Sequence, residues 1–270
     1  MPELPEVETT RRGVAPHAVG RTLTEIIVRN RQLRWPIPNE LPGLARNSVL
    51  LDIRRRGKYL LFQFEPGYAL LHLGMSGSLR VVPTVSEPGK HDHLDLCFGD
   101  VCLRYNDPRR FGSLLWAGTN PEKHPLLCHL GPEPLGEHFH ADYLYDKTRK
   151  RTQNIKTLIM DSKIVVGVGN IYANEALFAA GIHPLKVASK TSRAQLERLI
   201  VAIKTILSYA IKRGGTTLRD FVGGDGRPGY FAQELQVYGR GGEPCRQCNK
   251  ALTEKRVAQR STVYCVACQR

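Results

Sequence analysis

The sequence predicts an α+β fold in two domains with a small unit at the C-terminus. Three observations carry this. Short β-type runs crowd the first half of the chain, a helical hydrophobic period replaces them from Ala141, and four of the seven cysteines lie beyond residue 240. A chain of 270 residues with 41% hydrophobic content can bury more than one core.

Residues 5–15 read as a short helix that Gly13 and Pro16 bring to an end. Apolar or alternating runs follow at Thr22–Asn30, Val49–Arg56, Lys58–Phe64, Tyr68–Leu73, Ser78–Val82, His93–Phe98, Val101–Tyr105 and Ser113–Ala117. Gly, Pro, Asn and Asp punctuate them, a pattern of sandwiches or barrels. Gly118–Glu137 is rich in Pro and Gly and marks a boundary, so the expected domains are 1–130, 131–237 and 238–270. In the second, Leu196, Leu199, Ile200, Ile203, Ile206 and Leu207 form one helical stripe. Asn170 is placed to cap a helix that Gly181 ends, with Pro184 beyond. Residues 214–230 are glycine-rich and read as a mobile loop.

Cys245-x2-Cys248 and Cys265-x2-Cys268 have the spacing of two zinc knuckles. Four thiolates leave no open coordination position, so one structural Zn2+ is expected rather than a catalytic one. Two disulfides are the alternative; the odd cysteine total and an acidic N-terminus unlike a signal peptide weigh against them. Cys97, Cys102 and Cys128 read as buried small hydrophobes.

The net charge is +14, which predicts a polyanionic partner. No apolar run approaches the roughly 18 residues of a membrane span, which leaves nucleic acid. From Arg240 to Arg270 seven cations face two anions, a phosphate-binding composition. Arg54-Arg55-Arg56-Gly57-Lys58 is either a solvated strand end or a turn that aims Lys58 away from its neighbours. Gly74-Met75-Ser76-Gly77 and Asp107-Pro108-Arg109-Arg110-Phe111-Gly112 are plain turns or carriers of wedges of the kind DNA-distorting proteins insert between bases. Gly167-Val168-Gly169-Asn170 offers backbone N–H groups at a helix start, but no dinucleotide fingerprint surrounds it, so no nucleotide cofactor is expected. His91-Asp92-His93 lacks a third metal ligand.

The N-terminus reads Pro2-Glu3-Leu4-Pro5-Glu6. Removal of Met1 would expose Pro2 as a secondary amine beside a carboxylate. Such an amine condenses with an aldehyde to a permanently cationic iminium, an electron sink. The plainer alternative is a processing signal followed by an acidic first helical turn.

These motifs together resemble the bacterial formamidopyrimidine-DNA glycosylases. The resemblance runs from the N-terminal motif through His72-Leu73-Gly74-Met75-Ser76-Gly77, Asp107–Gly112, Gly167–Tyr172 and Pro228-Gly229-Tyr230-Phe231 to the four cysteines. It implies an N-terminal helix with a β-sandwich, then a helical domain with a helix–two-turn–helix and a zinc-finger β-hairpin. It implies excision of 8-oxoguanine and formamidopyrimidines from damaged double-stranded DNA, by a cytoplasmic, nucleoid-associated monomer. Pro2 would be the nucleophile at C1′, Glu3 the acid that opens the sugar, and Glu6 a supporting carboxylate. Lys58 would serve β-elimination and Arg260 δ-elimination, both holding phosphate. Asn170, His91 and Arg151 would contact DNA; Arg151 replaces the lysine common in the family. Met75, Arg109 and Phe111 would fill the gap left by the extruded nucleotide. Two other readings stand beside this one: an endonuclease VIII-like enzyme for oxidised pyrimidines, and a non-catalytic zinc-finger DNA-binding protein.

Overall fold

A computed structural model describes residues 2–216 and 234–270, which fall into two compact units. The first holds residues 2–128 and 213–216, the second 129–212 and 234–270. The glycine-rich stretch expected as a loop lies, from residue 217, outside the described residues, as does Pro228–Phe231.

In the first unit, helix α1 (Leu4–Ala18) precedes two four-stranded antiparallel sheets. One has the order β1 (Glu25–Val28), β6 (Asp92–Phe98), β7 (Val101–Asn106), β5 (Ser78–Pro83). The other has the order β2 (Leu50–Arg56), β3 (Tyr59–Phe64), β4 (Gly67–His72), β8 (Ser113–Gly118). The short helix α2 (Leu41–Ala45) lies between β1 and β2 in the chain. Ile53, Leu60, Phe62 and Leu71 of one sheet share a single core with Leu94, Leu96, Phe98 and Leu103 of the other. This is a sandwich: alternation sends every second side chain inward, and the two inner faces bury each other. Val7, Val14 and Ala18 of α1 join the same core. That burial explains why α1 runs three residues past the expected end at 15 and contains Pro16. The proline deprives one carbonyl of its N–H partner, and the apolar face C-terminal to it offsets the loss.

The turn between β6 and β7 brings Cys97 opposite Cys102, and the two form a disulfide. Both are buried as expected, but as a bonded pair; Cys128, also expected inside, is exposed.

Part of the basic run in β2 is structural. Glu8 on α1 accepts hydrogen bonds from Arg11 and Arg12 on its own helix and from Arg55 on β2. Burial alone would raise its pKa; the bonds from Arg11 and Arg12 outweigh burial and bring it down to about 2. A depressed carboxylate contributes stability that is fully present above the unfolded value near ~4.3 and is lost as pH falls through about 2. Glu8→Gln should therefore cost about 2 kcal/mol at pH 7, after allowance for solvent screening, and progressively less below pH ~4. Urea unfolding at both pH values checks this; an equal loss at each would refute the ionic origin.

The second unit contains α3 (Ala141–Thr148), α4 (Ile155–Ile159), α5 (Asn170–Ala179), α6 (Arg193–Lys212) and the hairpin β9 (Thr253–Val257), β10 (Arg260–Tyr264). Turns at 161–165 separate α4 from α5, with Ile164 and Val165 both donating to the Asp161 carbonyl. Residues Ile171–Phe178 of α5 are all buried, so it is the central helix of this unit. Its cap is Gly169, with Asn170 the first helical residue; the expected cap is thus displaced by one position. Gly181 follows it at φ +68°, the left-handed turn that ends a helix. α6 buries the expected stripe, except that Ile206 is only half-buried.

Candidate active site

In the first unit, three groups of side chains were singled out by the sequence. At the N-terminus, Pro2, Glu3 and Glu6 are all buried. Glu3 caps α1 and its backbone N–H donates to Glu6 Oε2 at 2.8 Å. Glu6 Oε1 accepts from both the backbone N–H and the hydroxyl of Thr216, each at 2.9 Å. Gly215 makes that approach possible: its φ is +78°, and a Cβ there would meet Glu6 Oε1 at 3.0 Å. Glu6 is thus committed to hydrogen bonds that tie the N-terminus to the residues just before 217.

Lys58 lies in the β2–β3 turn, after Gly57 at φ +58°. Its charge is felt by His72, the register partner of Tyr59. Burial pushes the His72 imidazole down to about 4, and the Lys58 and Arg34 cations push it the same way. His72 is therefore neutral near pH 7. Its Nδ1 accepts from the Gly74 N–H at 3.0 Å, so its remaining proton is on Nε2. Lone histidines on strands carry no sequence signal for such a state, and His72 was not among the expected site residues.

A cavity of about 610 Å³ is bounded by Arg34, His72, Met75, Arg109 and Phe111. Met75 and Phe111 are each 40% exposed, unusual for such apolar side chains. The Arg109 guanidinium lies 4.9 Å from the centre of the Phe111 ring. The three expected wedge residues therefore meet at one place. Arg34 joins them, a neighbour the sequence did not reveal. His91 lies nearby in the fold: its carbonyl accepts from the Asp107 N–H at 3.0 Å.

In the second unit, the four cysteine sulfurs lie within 4.8 Å of one another. Cys245 and Cys268 are 4.0 Å apart and Cys248 and Cys265 3.4 Å, close to the spacing of four sulfurs on a tetrahedral ion. The four could hold a metal ion. Among the described residues, Phe178, Val237, Leu252 and Val263 pack around them as buried apolar partners. The hairpin is anchored to the helices by buried polar groups: Lys156 Nζ donates to the Ser261 carbonyl and the Thr262 hydroxyl, both at 2.8 Å. Asn174 Oδ1 accepts from the Val263 N–H at 3.0 Å. Glu175 accepts three successive backbone N–H groups, of Gln236, Val237 and Tyr238. Arg260 is exposed directly after the two-residue turn Ala258-Gln259, whose φ values are +47° and +61°. Asn170 opens α5, and Arg151 is exposed just before α4.

Two family models match the chain. Residues 1–114 match the formamidopyrimidine-DNA glycosylase N-terminal domain, and residues 130–222 the H2TH domain of the same proteins. Fold and site together define a DNA-repair glycosylase with a four-cysteine hairpin. The formamidopyrimidine-DNA glycosylase of Saccharophagus degradans is 60% identical over 271 residues, covering all of both chains. The crystal structure of the Thermus thermophilus MutM (Fpg) protein is 38% identical with a TM-score of 0.90, covering 99% of this chain and 98% of that one. A Lactococcus lactis Fpg variant in complex with DNA containing Fapy-dG is 35% identical with a TM-score of 0.93, over the whole of both chains. The chain belongs to the formamidopyrimidine-DNA glycosylase family.

Proposed function

We propose that this protein removes oxidised purines from damaged double-stranded DNA and then cleaves the sugar–phosphate backbone on both sides. The observation that carries the chemistry is a Pro2 buried beside Glu3, with Glu6 held in place by three hydrogen bonds. Once Met1 is removed, the Pro2 nitrogen attacks C1′ of the damaged nucleotide and the bond to the base breaks. Glu3 gives a proton to the ring oxygen, the sugar opens, and a Pro2 iminium remains. The iminium acidifies C2′–H; loss of that proton expels the 3′ phosphate, and a second elimination expels the 5′ phosphate. Lys58 holds phosphate and supplies a proton in β-elimination, Arg260 holds phosphate and assists δ-elimination, and Asn170, Arg151 and His91 hold the backbone. Met75, Arg109 and Phe111 take the space of the extruded nucleotide, since extrusion costs a few kcal/mol of stacking. Arg109 carries the planar fork able to reach the orphaned base. The four cysteines fit one Zn2+, which supplies structure to the hairpin that presents Arg260.

Borohydride reduction on abasic DNA tests the proposal. A covalent adduct mapping to Pro2 is expected; a non-catalytic DNA-binding protein would give none. Rates on 8-oxoguanine and thymine-glycol duplexes should favour the former, and the reverse order would place the protein with the endonuclease VIII-like enzymes. Glu3→Gln should keep lesion binding and lose base excision, because an amide cannot donate the proton. Undiminished excision by that variant would remove Glu3 from its role. Arg260→Ala should lower DNA affinity and reduce the slope of log K against log salt by about one. An unchanged slope would mean that Arg260 does not meet a phosphate.

A further inference from the structure

Met75, Arg109, Phe111 and His91 stand on three separate loops, yet all of them hang on one side chain and its backbone. Asp107 is fully buried. Its Oδ1 accepts from the Ser76 hydroxyl at 2.9 Å and from the Arg109 N–H at 3.3 Å. Its Oδ2 accepts from the Tyr105 hydroxyl and from the Gly112 N–H, both at 2.9 Å. The Asp107 N–H donates to the His91 carbonyl, and the Asp107 carbonyl is 2.8 Å from Nε2 of buried His93. One carboxylate thus grips the neighbour of Met75, the backbone of Arg109 and the neighbour of Phe111.

The loops are also in direct backbone contact. A Cβ on Gly74 would lie 2.4 Å from the Gly112 nitrogen, and one on Gly112 would lie 1.8 Å from the Tyr105 hydroxyl. Burial, with the Asp107 charge beside it, keeps the Tyr105 phenol protonated and so a donor. A buried carboxylate with four donors has no ordinary surface role, and its desolvation is tolerated only because every donor is aligned.

We propose that Asp107 is the positioning residue of the DNA-distorting face, holding Met75, Arg109, Phe111 and His91 as one preformed unit before DNA arrives. This rests on the gap-filling reading above. The unit then needs no ordering when the duplex is opened, and preorganisation of this kind acts on the rate of extrusion rather than on the later covalent steps. Asp107→Asn retains the shape but turns an N–H2 group toward existing donors. Ser76→Ala removes a single bond to Oδ1, and Ser76→Thr keeps the hydroxyl.

The experiment measures single-turnover excision of 8-oxoguanine from duplex DNA, with 2-aminopurine beside the lesion to report unstacking. Borohydride trapping on a single-stranded abasic site is measured in parallel, where nothing has to be extruded from a stack. Asp107→Asn and Ser76→Ala should each slow duplex excision and the fluorescence rise together, Asp107→Asn by about tenfold or more. Trapping on the single strand should stay within about twofold, and Ser76→Thr should restore the duplex rate. Equal losses on both substrates would overturn the proposal, since they mark general damage to the fold. If Asp107→Asn does not fold, Ser76→Ala against Ser76→Thr decides alone: equal duplex rates for the two overturn the proposal. Phe111→Ala serves as the reference. If it leaves the fluorescence rise unchanged, the gap-filling reading fails first. If it slows the rise while Asp107→Asn and Ser76→Ala do not, only the positioning role fails.

Discussion

Protein that retains an extension on Pro2, whether Met1 or an N-terminal tag, should give no borohydride cross-link to abasic DNA, while the processed protein cross-links efficiently. The reason is electronic. An acylated Pro2 nitrogen is an amide whose lone pair is delocalised into the carbonyl, so it can neither attack C1′ nor form an iminium. The free α-amine titrates near pH ~8 and keeps a useful neutral fraction at pH 7. Pro2→Gly should leave a weaker but measurable cross-link, because a primary amine still condenses. Lys58 is another amine among the proposed phosphate-holding residues, so the site of attachment has to be mapped. A cross-link of full yield from the extended protein, with the adduct on a lysine, would remove Pro2 from the mechanism.

Cys248→Ser should abolish metal binding and lower DNA affinity by about two orders of magnitude or more, with the two-sheet unit still folded. Among the described residues, the cysteines share a small cluster with four other buried apolar side chains, Phe178, Val237, Leu252 and Val263. Such a core cannot offset the ordering of some thirty residues, whereas a four-thiolate zinc site supplies roughly 10–16 kcal/mol of apparent binding energy. Without the ion, the turn that carries Arg260 loses its frame. Lys156 and Asn174 hold the hairpin by its backbone and one hydroxyl, and those bonds exist only once the hairpin has formed. Metal content by atomic absorption and DNA affinity by fluorescence anisotropy check the prediction. A metal-free Cys248→Ser protein with unchanged affinity would show that the hairpin stands without its ion and that phosphate is held elsewhere.

The strands, the amphipathic helix α6 and the cysteine tetrad were legible because each is a local pattern. Alternation, a helical period and a CxxC spacing follow from backbone geometry over a few residues. The sequence also determined the N-terminal motif, the basic excess and the loops bearing Met75, Arg109 and Phe111. Where local rules misled, a distant partner had outweighed them. α1 continues through Pro16 because Val14 and Ala18 are buried against the sandwich. Arg55 belongs to Glu8, 47 residues away, and not to a solvated strand end. Cys97 and Cys102 bond because their strands pair in register.

What only the tertiary structure decided is how the chemical groups are paired and charged. Glu6 meets Thr216 across 210 residues. Asp107 meets Ser76 across 31. His72 is neutral because burial and two cations from other segments surround it. A carboxylate or an imidazole reads the same in a sequence whether it is solvated, paired or buried. Its ionisation and its partners are set by desolvation and by neighbouring dipoles and charges, which exist only once packing has brought remote segments together.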